Sequence, residues 1–373
     1  MNFEHLRSEI LRFDPGVPVE RAWMPPASWY VDPDFYALER ETVFARSWQL
    51  VARVAELPGP GAYISGVLAG EPWVVVRQDD GELAAFANVC RHKGREVVQG
   101  SGCASELVCG YHAWCYTLAG DLKSAPKIAG ILDFDRKQMG LVPLGVETWG
   151  PWVFINGDRN AAPLSARVAT LDQRLELGGW QDLTFVGRRS WVLNCNWKVY
   201  IDNYLDGGYH IPHMHPTLDA QLDMQNYGTE LFDECSIQGS PASTAGDQRI
   251  AFDAEARIGD GALYAWIHPN LMLNRYGSCL DSNHVRPLGP HRCEVAYEFY
   301  FAETVGKEAQ QFIDESMQQS DVTQQEDIAI CESVQVGLGS RAFDRGRYAP
   351  GLELGEHHFH GLLARDFRTA LRE

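Results

Sequence analysis

CRHKGREVVQGSGCASELVCGYHAWCYTLAGDL, residues 90–122, sets Cys90 and His92 two positions apart and then, after sixteen residues, Cys109 and His112. Two Cys/His pairs on two loops can hold zinc, but structural zinc pairs usually leave two to four residues between ligands. Cys-x-His suits a [2Fe-2S] cluster in which cysteines hold one iron and histidines the other, the Rieske arrangement. Each loop then gives one ligand to each iron. Gly94, Gly100, Gly102, Gly110 and Gly120 permit the tight turns and close backbone approach that N–H···S bonds need, and Trp114 is placed to cover the cluster. Cys103 and Cys115 fall outside the pattern and read as small buried residues. Arg91, Lys93 and Arg95 form a basic patch, either a solvated loop or a docking surface for an acidic electron carrier.

Around this stretch the chain changes period. Residues 30–52, YVDPDFYALERETVFARSWQLVA, read as a helix entered through Asp32-Pro33, with Phe35, Leu38, Val43 and Phe44 on an apolar side. From Trp48 onward, WQLVARV, WVVVRQ and LAAFANV are short strands punctuated by Pro-Gly and Asp-Gly turns, the last delivering Cys90. WGPWVFING (149–157) closes this β-rich region, and residues 159–180 make a helical connector. Farther on, SIQGSPAST, LYAWIHPNLMLNRYG, NHVRPLG and RCEVAYEFYFAE make residues 229–304 β-rich, so a twisted antiparallel sheet with helices packed on it is the simplest second half. The fold class is α+β. The expected divisions are 1–45, a helical segment packing on the catalytic part; 46–157, the cluster domain; and 158–373, the catalytic domain.

The second half carries its own metal signature. NWKVYIDNYLDGGYHIPHMHPTL (196–218) holds His210, His213 and His215 with Asp202 and Asp206. Two histidines and one carboxylate with open positions are the ligand set of non-haem Fe(II) oxygenases. On a helix Asp206 and His210, four apart, share a face. His210 and His215, five apart, point about 140 degrees away from each other on a regular helix. Pro212 breaks that helix, and Gly207-Gly208 precedes it, so the two can converge while His213 points elsewhere. The carboxylate is sought in the helical segment 307–337, where Ile328, Ile330, Cys331 and Val334 are apolar contacts. Asp327 leads its apolar part, where an acid is expensive unless paired or ligating; Glu326 and Glu332 read as more solvent-facing.

Composition narrows the function. A formal charge of -18 over 373 residues argues against nucleic acid or an anionic membrane surface as partner. No apolar run approaches a transmembrane span, and the N-terminus lacks the features of a signal peptide. Nine cysteines then point to a reducing compartment, the cytoplasm. There is neither a G-x-G-x-x-G after a strand nor a Walker-type lysine loop, so a nicotinamide or flavin domain is not expected within the chain.

CRH…CGYHAW together with DNYLDGGYHIPHMH (202–215) resembles the α subunits of Rieske-type non-haem iron oxygenases. The likeness covers nearly the whole chain. It is nearest to choline monooxygenase and its bacterial relatives through HPNLMLNRYG, PLGPHRCEVAYEF, EDIAICESVQVGL and RGRYAPGLELGEHHFH. The resemblance implies a Rieske domain followed by a helix-grip catalytic domain, in a homotrimer. It carries the cluster ligands onto Cys90, His92, Cys109 and His112, and the mononuclear iron ligands onto His210, His215 and Asp327. It also implies a carboxylate bridging the neighbouring subunit's cluster to this iron, usually three residues before the first histidine ligand. That position is Gly207, so Asp206 takes the role, with Asp202 in reserve. The implied chemistry is monooxygenation with O2, hydroxylating a small quaternary ammonium substrate such as choline to betaine aldehyde hydrate. N-demethylation of a betaine or carnitine-like compound, or aromatic ring hydroxylation, uses the same metals. Electrons come from NAD(P)H through a separate ferredoxin or reductase. A cationic substrate wants an aromatic cage, for which Tyr204, Phe232, Tyr264, Trp266 and Tyr276 are candidates. HHFH (357–360) reads as structural.

Overall fold

A computed structural model of the chain describes residues 2–176, 179–241 and 261–371. The architecture is α+β, in two compact units: Phe44–Ala166, and Met1–Val43 together with Arg167–Glu373.

The first unit is β-rich. Its strands are β1 (Gln49–Arg53), β2 (Ala62–Leu68), β3 (Glu71–Arg77), β4 (Leu83–Ala87), β5 (Ser101–Cys103), β6 (Leu107–Val108), β7 (Cys115–Tyr116), β8 (Leu122–Ser124), β9 (Pro143–Trp149) and β10 (Trp152–Asn156). A seven-stranded antiparallel sheet runs β1-β10-β9-β4-β3-β2-β5, beside a small sheet β6-β7-β8. β3 is apolar on both faces because both are covered. Val74 and Val76 pack with Leu107, Trp114, Tyr116 and Leu141 on one side, while Trp73 and Val75 pack with Leu57, Val153 and Ile155 on the other. Each fully buried valine contributes roughly 1.5–3 kcal/mol. Cys90 and Cys109 belong to the first of these cores.

The second unit begins with α1 (Phe3–Ile10), α2 (Ser28–Val31) and α3 (Pro33–Glu39). The helix expected over residues 30–52 is interrupted, and its last residues from Gln49 belong to strand β1. α3 starts where the Asp32 side chain accepts from the Asp34 N–H, and residues 40–44 form a wider π turn. α4 (Leu164–Glu176) leads to β11 (Thr184–Leu193), and then come α5 (Trp197–Leu205), α6 (Ile211–Met214) and α7 (Pro216–Asp219). β12 (Gly228–Leu231), β13 (Cys235–Pro241), β14 (Gly261–Ile267), β15 (Leu271–Tyr276), β16 (Cys279–Gly289) and β17 (Arg292–Phe301) follow. They form an antiparallel sheet ordered β11-β17-β16-β15-β14-β13-β12. Residues 242–244 of the expected SIQGSPAST strand lie outside the described residues. The chain ends with α8 (Lys307–Leu338) and α9 (Leu354–Ala370). Among the described residues, no helix is long and apolar enough to cross a membrane.

α5 is set by its ends and its burial. The Asn196 side chain caps it by accepting from Lys198 N–H, and Trp197, Val199, Ile201 and Leu205 are buried. Lys198 and Glu39 form an ion pair with no exposure on either side chain. Trp197 Nε1 donates to the same carboxylate at 2.8 Å, and Lys198 Nζ donates to Asn196 Oδ1 at 2.8 Å. Burial pushes the Glu39 carboxyl up and the Lys198 ammonium down, each opposed by the other's charge. The pair ties the start of α5 to the end of α3. α8 buries a stripe at Ile313, Ser316, Ser320, Gln324, Asp327 and Cys331, one helix face at three- and four-residue spacing. Val334, expected as an apolar contact, is instead exposed.

Candidate metal centres

In the first unit two loops are closed by the same backbone bonds. Cys90 N–H donates to Arg95 O at 2.8 Å and Gly94 N–H to Cys90 O at 2.9 Å; Cys109 N–H donates to Trp114 O at 2.9 Å and Ala113 N–H to Cys109 O at 3.0 Å. The fifth residue of each loop, Gly94 or Ala113, has positive φ. The turn folds each histidine back beside its cysteine, and the His92 and His112 ring centroids are 4.6 Å apart. Trp114 stacks on His92 at 5.0 Å and 5°, the covering position expected of it. The cysteines are buried and the histidines exposed.

This donor set fits a two-iron cluster better than one ion. A single tetrahedral zinc with ligand bonds near 2.0–2.3 Å holds its donors about 3.3–3.8 Å apart. Among the described residues, the trios whose ligand atoms lie within 4.8 Å of one another contain no cysteine. Gly110 leaves room for the Arg95 guanidinium, whose Nη1 would sit 2.3 Å from a Cβ there. Tyr116 escaped the sequence reading. Its hydroxyl lies 3.4 Å from Cys90 Sγ and accepts from Arg91 N–H at 3.0 Å, and burial with the Cys90 contact holds it well above the ordinary range. Cys115 is buried as expected, but Cys103 is exposed: it ends the edge strand β5, which among the described residues pairs with β2 alone. Arg91, Lys93 and Arg95 are all exposed.

In the second unit the chain leaves α5 through Gly207 and Gly208, both with positive φ. His210 precedes α6 and His215 follows it, with Pro212 in the first turn. The two rings stand 5.0 Å apart at 82°. Asp327 Oδ1, from α8, lies 3.1 Å from His215 Nε2 and 3.8 Å from His210 Nε2, and Asn203 Nδ2 donates to it at 2.8 Å. The far nitrogen of each ring is held by a carboxylate: His210 Nδ1 by Asp206 at 2.6 Å and His215 Nδ1 by Glu326 at 2.6 Å. Carboxylates on Nδ1 turn both Nε2 lone pairs inward, as metal-ligating histidines require. Two imidazoles and one carboxylate on one side fit a divalent iron with open positions. His213 is exposed.

Two expectations change. Asp206 reaches His210 through a turn, not along a helix face: its carboxylate also accepts from the N–H groups of Gly208, Tyr209 and His210. Glu326 is anchored on His215 instead of facing solvent, and Glu332 accepts from Asn194. The departure at position 207, where the resemblance puts an acid, has a physical reason. Its φ is 71°, and a Cβ would meet Leu352 O at 2.2 Å. No side chain fits there; the residue before it, Asp206, carries the carboxylate bonded to His210. Asp202 is bonded to His360 at 3.1 Å. Asp202, Glu356 and His360 also converge within 4.8 Å, but the Tyr348 and Tyr30 hydroxyls already occupy the two His360 nitrogens at 2.7 and 2.8 Å. HHFH is thus packed into α9 as structure.

A pocket opens on the trio, lined by Tyr204, Tyr264 and Tyr276 as expected, and by Tyr200, Tyr227 and Tyr297, which the sequence reading missed. Phe232 and Trp266 do not line it; Trp266 is wholly buried and donates to Pro269 O. The remaining walls are Asn203, Gly208, Ile211, Leu218, Asn274 and Thr323, so among the described residues the lining holds no lysine or arginine.

Residues 47–135 match the Rieske [2Fe-2S] domain family and residues 180–367 the ring hydroxylating alpha subunit (catalytic domain) family. The chain belongs to the α subunits of the Rieske oxygenases. It is 42% identical over 365 residues to chloroplastic choline monooxygenase of Arabidopsis thaliana, covering 95% of this chain and 85% of that protein. It is 32% identical over 362 residues to the carnitine monooxygenase oxygenase subunit of Escherichia coli K12, covering 94% and 95%. The quaternary ammonium Rieske monooxygenase CntA in complex with L-carnitine superposes with a TM-score of 0.77 at 29% identity, over 93% of this chain and 96% of that one. Naphthalene 1,2-dioxygenase from Rhodococcus sp. shares the fold, with a TM-score of 0.75 at 21% identity over 98% of each chain.

Proposed function

We propose that this chain is the oxygenase component of a monooxygenase acting on a small quaternary ammonium compound, choline first among the candidates. The observation that carries the reading is the tyrosine-lined pocket opening on His210, His215 and Asp327. Aromatic faces attract a trimethylammonium group, which has no proton to donate. The lining offers hydroxyls and amides but, among the described residues, no cationic partner for a carboxylate. That favours an alcohol such as choline over carnitine or a betaine, whose carboxylate would be buried unpaired.

His210, His215 and Asp327 would hold Fe(II); Cys90, His92, Cys109 and His112 would hold the [2Fe-2S] cluster. Together these groups supply O2 activation and one-electron storage when bound. The chain's own contribution is to orient and to hold protons in place. Asp206 and Glu326 fix the two imidazoles with Nε2 toward Asp327, while the tyrosines keep the substrate cation at a set distance from the trio. Overall, R–CH2OH, O2, two electrons and two protons give R–CH(OH)2 and water, and the hydrate then loses water to the aldehyde. With no nucleotide-binding signature in the chain, the electrons come from NAD(P)H through a separate ferredoxin or reductase. Asp206 is the proposed bridge to a neighbouring cluster in a homotrimer, supported by its bond to His210 and by the family resemblance. The domain divisions 1–45, 46–157 and 158–373 and a reducing, cytoplasmic setting belong to the same reading; the seven free cysteines outside the cluster set support the latter.

The test is NADH consumption by the holoenzyme with a ferredoxin–reductase pair and choline, glycine betaine or L-carnitine, with product identification. Betaine aldehyde from choline is expected. Turnover of carnitine or betaine without choline turnover sinks the choline assignment.

A further inference from the structure

The pocket floor is one face of the sheet, and the register shows what lies in it. Across β14, β15, β16 and β17, Tyr264 opposes Asn274, Asn274 opposes Asp281, and Asp281 opposes Phe299. Directly opposed residues point to the same face, so Asp281 shares the face of the pocket walls Tyr264 and Asn274. Two positions along, Asn283 opposes the pocket wall Tyr297. Asp281 is therefore a carboxylate, 4% exposed, on the sheet face that carries the pocket walls Tyr264, Asn274 and Tyr297 and directly behind Asn274. Asn274 Nδ2 and Asn283 Nδ2 donate to its Oδ1 at 2.8 and 2.9 Å. Asn274 Oδ1 in turn accepts from the Tyr204 hydroxyl at 2.8 Å. The chain from Asp281 through Asn274 to Tyr204 thus ends in the pocket. The charge is felt there: burial, Tyr227 and then Asp281 hold the Tyr204 hydroxyl well above its ordinary range, and Asp281 acts likewise on Tyr297 after burial and Asp327.

We propose that Asp281 is a specificity-determining positioning residue whose buried negative charge, relayed by Asn274 to the Tyr204 hydroxyl, makes the pocket choose a cation over a neutral molecule of the same shape. Aromatic walls alone accept either a trimethylammonium or a tert-butyl group by shape and dispersion. A carboxylate behind them in a low-dielectric interior discriminates by charge. The inference rests on the quaternary ammonium reading given above.

Choline and its carbon isostere 3,3-dimethyl-1-butanol separate charge from shape. Their dissociation constants for the holoenzyme are measured by calorimetry in the native protein, Asp281→Asn and Tyr204→Phe. The native protein is expected to prefer choline. Asp281→Asn should weaken choline at least about tenfold while leaving the alcohol within about twofold, and Tyr204→Phe should lower the preference several-fold. If Asp281→Asn does not fold, judged by loss of the visible cluster absorbance, Tyr204→Phe decides. Equal weakening of both ligands, or a native protein that does not prefer choline, overturns the proposal. Asp281-dependent preference for choline without its turnover would leave this inference standing and remove choline as substrate. Choline turnover with an unchanged dissociation constant in Asp281→Asn would do the reverse.

Discussion

The proposed cluster site and the proposed mononuclear site solve the same problem in opposite ways. Cys90, His92, Cys109 and His112 sit in two loops of one short stretch, each closed by its own backbone bonds. His210, His215 and Asp327 converge only because α8 returns to α5 more than a hundred residues later, and two carboxylates and an amide hold them: Asp206, Glu326 and Asn203. A locally built site tolerates changes elsewhere in the chain; a site built by helix packing does not. The sharpest way to break this contrast is to remove one ligand from each. Asp327→Ala should abolish turnover, by at least about a thousandfold, and lower iron from about three to about two per chain with labile sulfide unchanged. His92→Ala should lose the visible absorbance. Loss of sulfide in Asp327→Ala would show that the two sites are not independent.

Next in size is the buried pair beneath α5. Lys198→Met strands the Glu39 carboxylate without its partner and should cost roughly 3–5 kcal/mol in chemical denaturation. Adding Glu39→Leu should recover much of this, since a well-packed apolar pair often replaces a buried ion pair at little loss. Mononuclear iron should weaken in the single variant before the cluster does, because Asn203 and Asp206 lie on and at the end of α5. A single variant as stable as the native protein would mean that Lys198 is held by packing alone.

The same contrast explains what the sequence could tell. The Cys/His spacing and Pro212 name residues that the structure brings together, because spacing constrains a loop directly. Period-two patterns located the strands but not their neighbours. Tyr227 and Tyr297 were therefore missed as pocket walls, while Trp266, two residues along β14 from Tyr264 and on the same face, was wrongly included because it is wholly buried against His358 and Phe359 of α9. Glu326 looked solvent-facing because it sits one residue from Asp327, about 100 degrees round α8, and nothing in the helix pattern says that His215 lies there. Position 207 was legible as a departure from the family pattern, but its reason, the carbonyl of Leu352 against it, belongs to packing.

Those carboxylates give the third test. Asp206→Asn and Glu326→Gln keep the shape but remove the charge that orients each imidazole, and each should weaken iron binding about 10–100-fold. Iron titration of the metal-depleted protein checks it. Equal effects are not required: Asp206 also accepts three backbone N–H groups, so its loss should also loosen the turn after α5. An unchanged affinity in both variants would mean that the histidines are positioned by the backbone alone.

The smallest effect falls on the cluster side and depends on pH. Burial first, and then the hydrogen bond and charge of Glu106, push the Cys115 thiol up to about 11. The raised value means that the folded state favours the protonated thiol. That contribution is complete below the unfolded thiol's range near 9 and is lost as pH rises toward about 11. Cys103 is exposed. Iodoacetamide near pH 8 should therefore label Cys103 and spare Cys115, with Cys115 joining only as pH approaches 11. Glu106→Gln should bring Cys115 labelling to a lower pH by removing the neighbouring charge. Labelling of Cys115 at the Cys103 rate near pH 8, read by peptide mass, would show that the β6–β7 hairpin opens readily. The local site would then lack the rigidity that sets it apart from the mononuclear one.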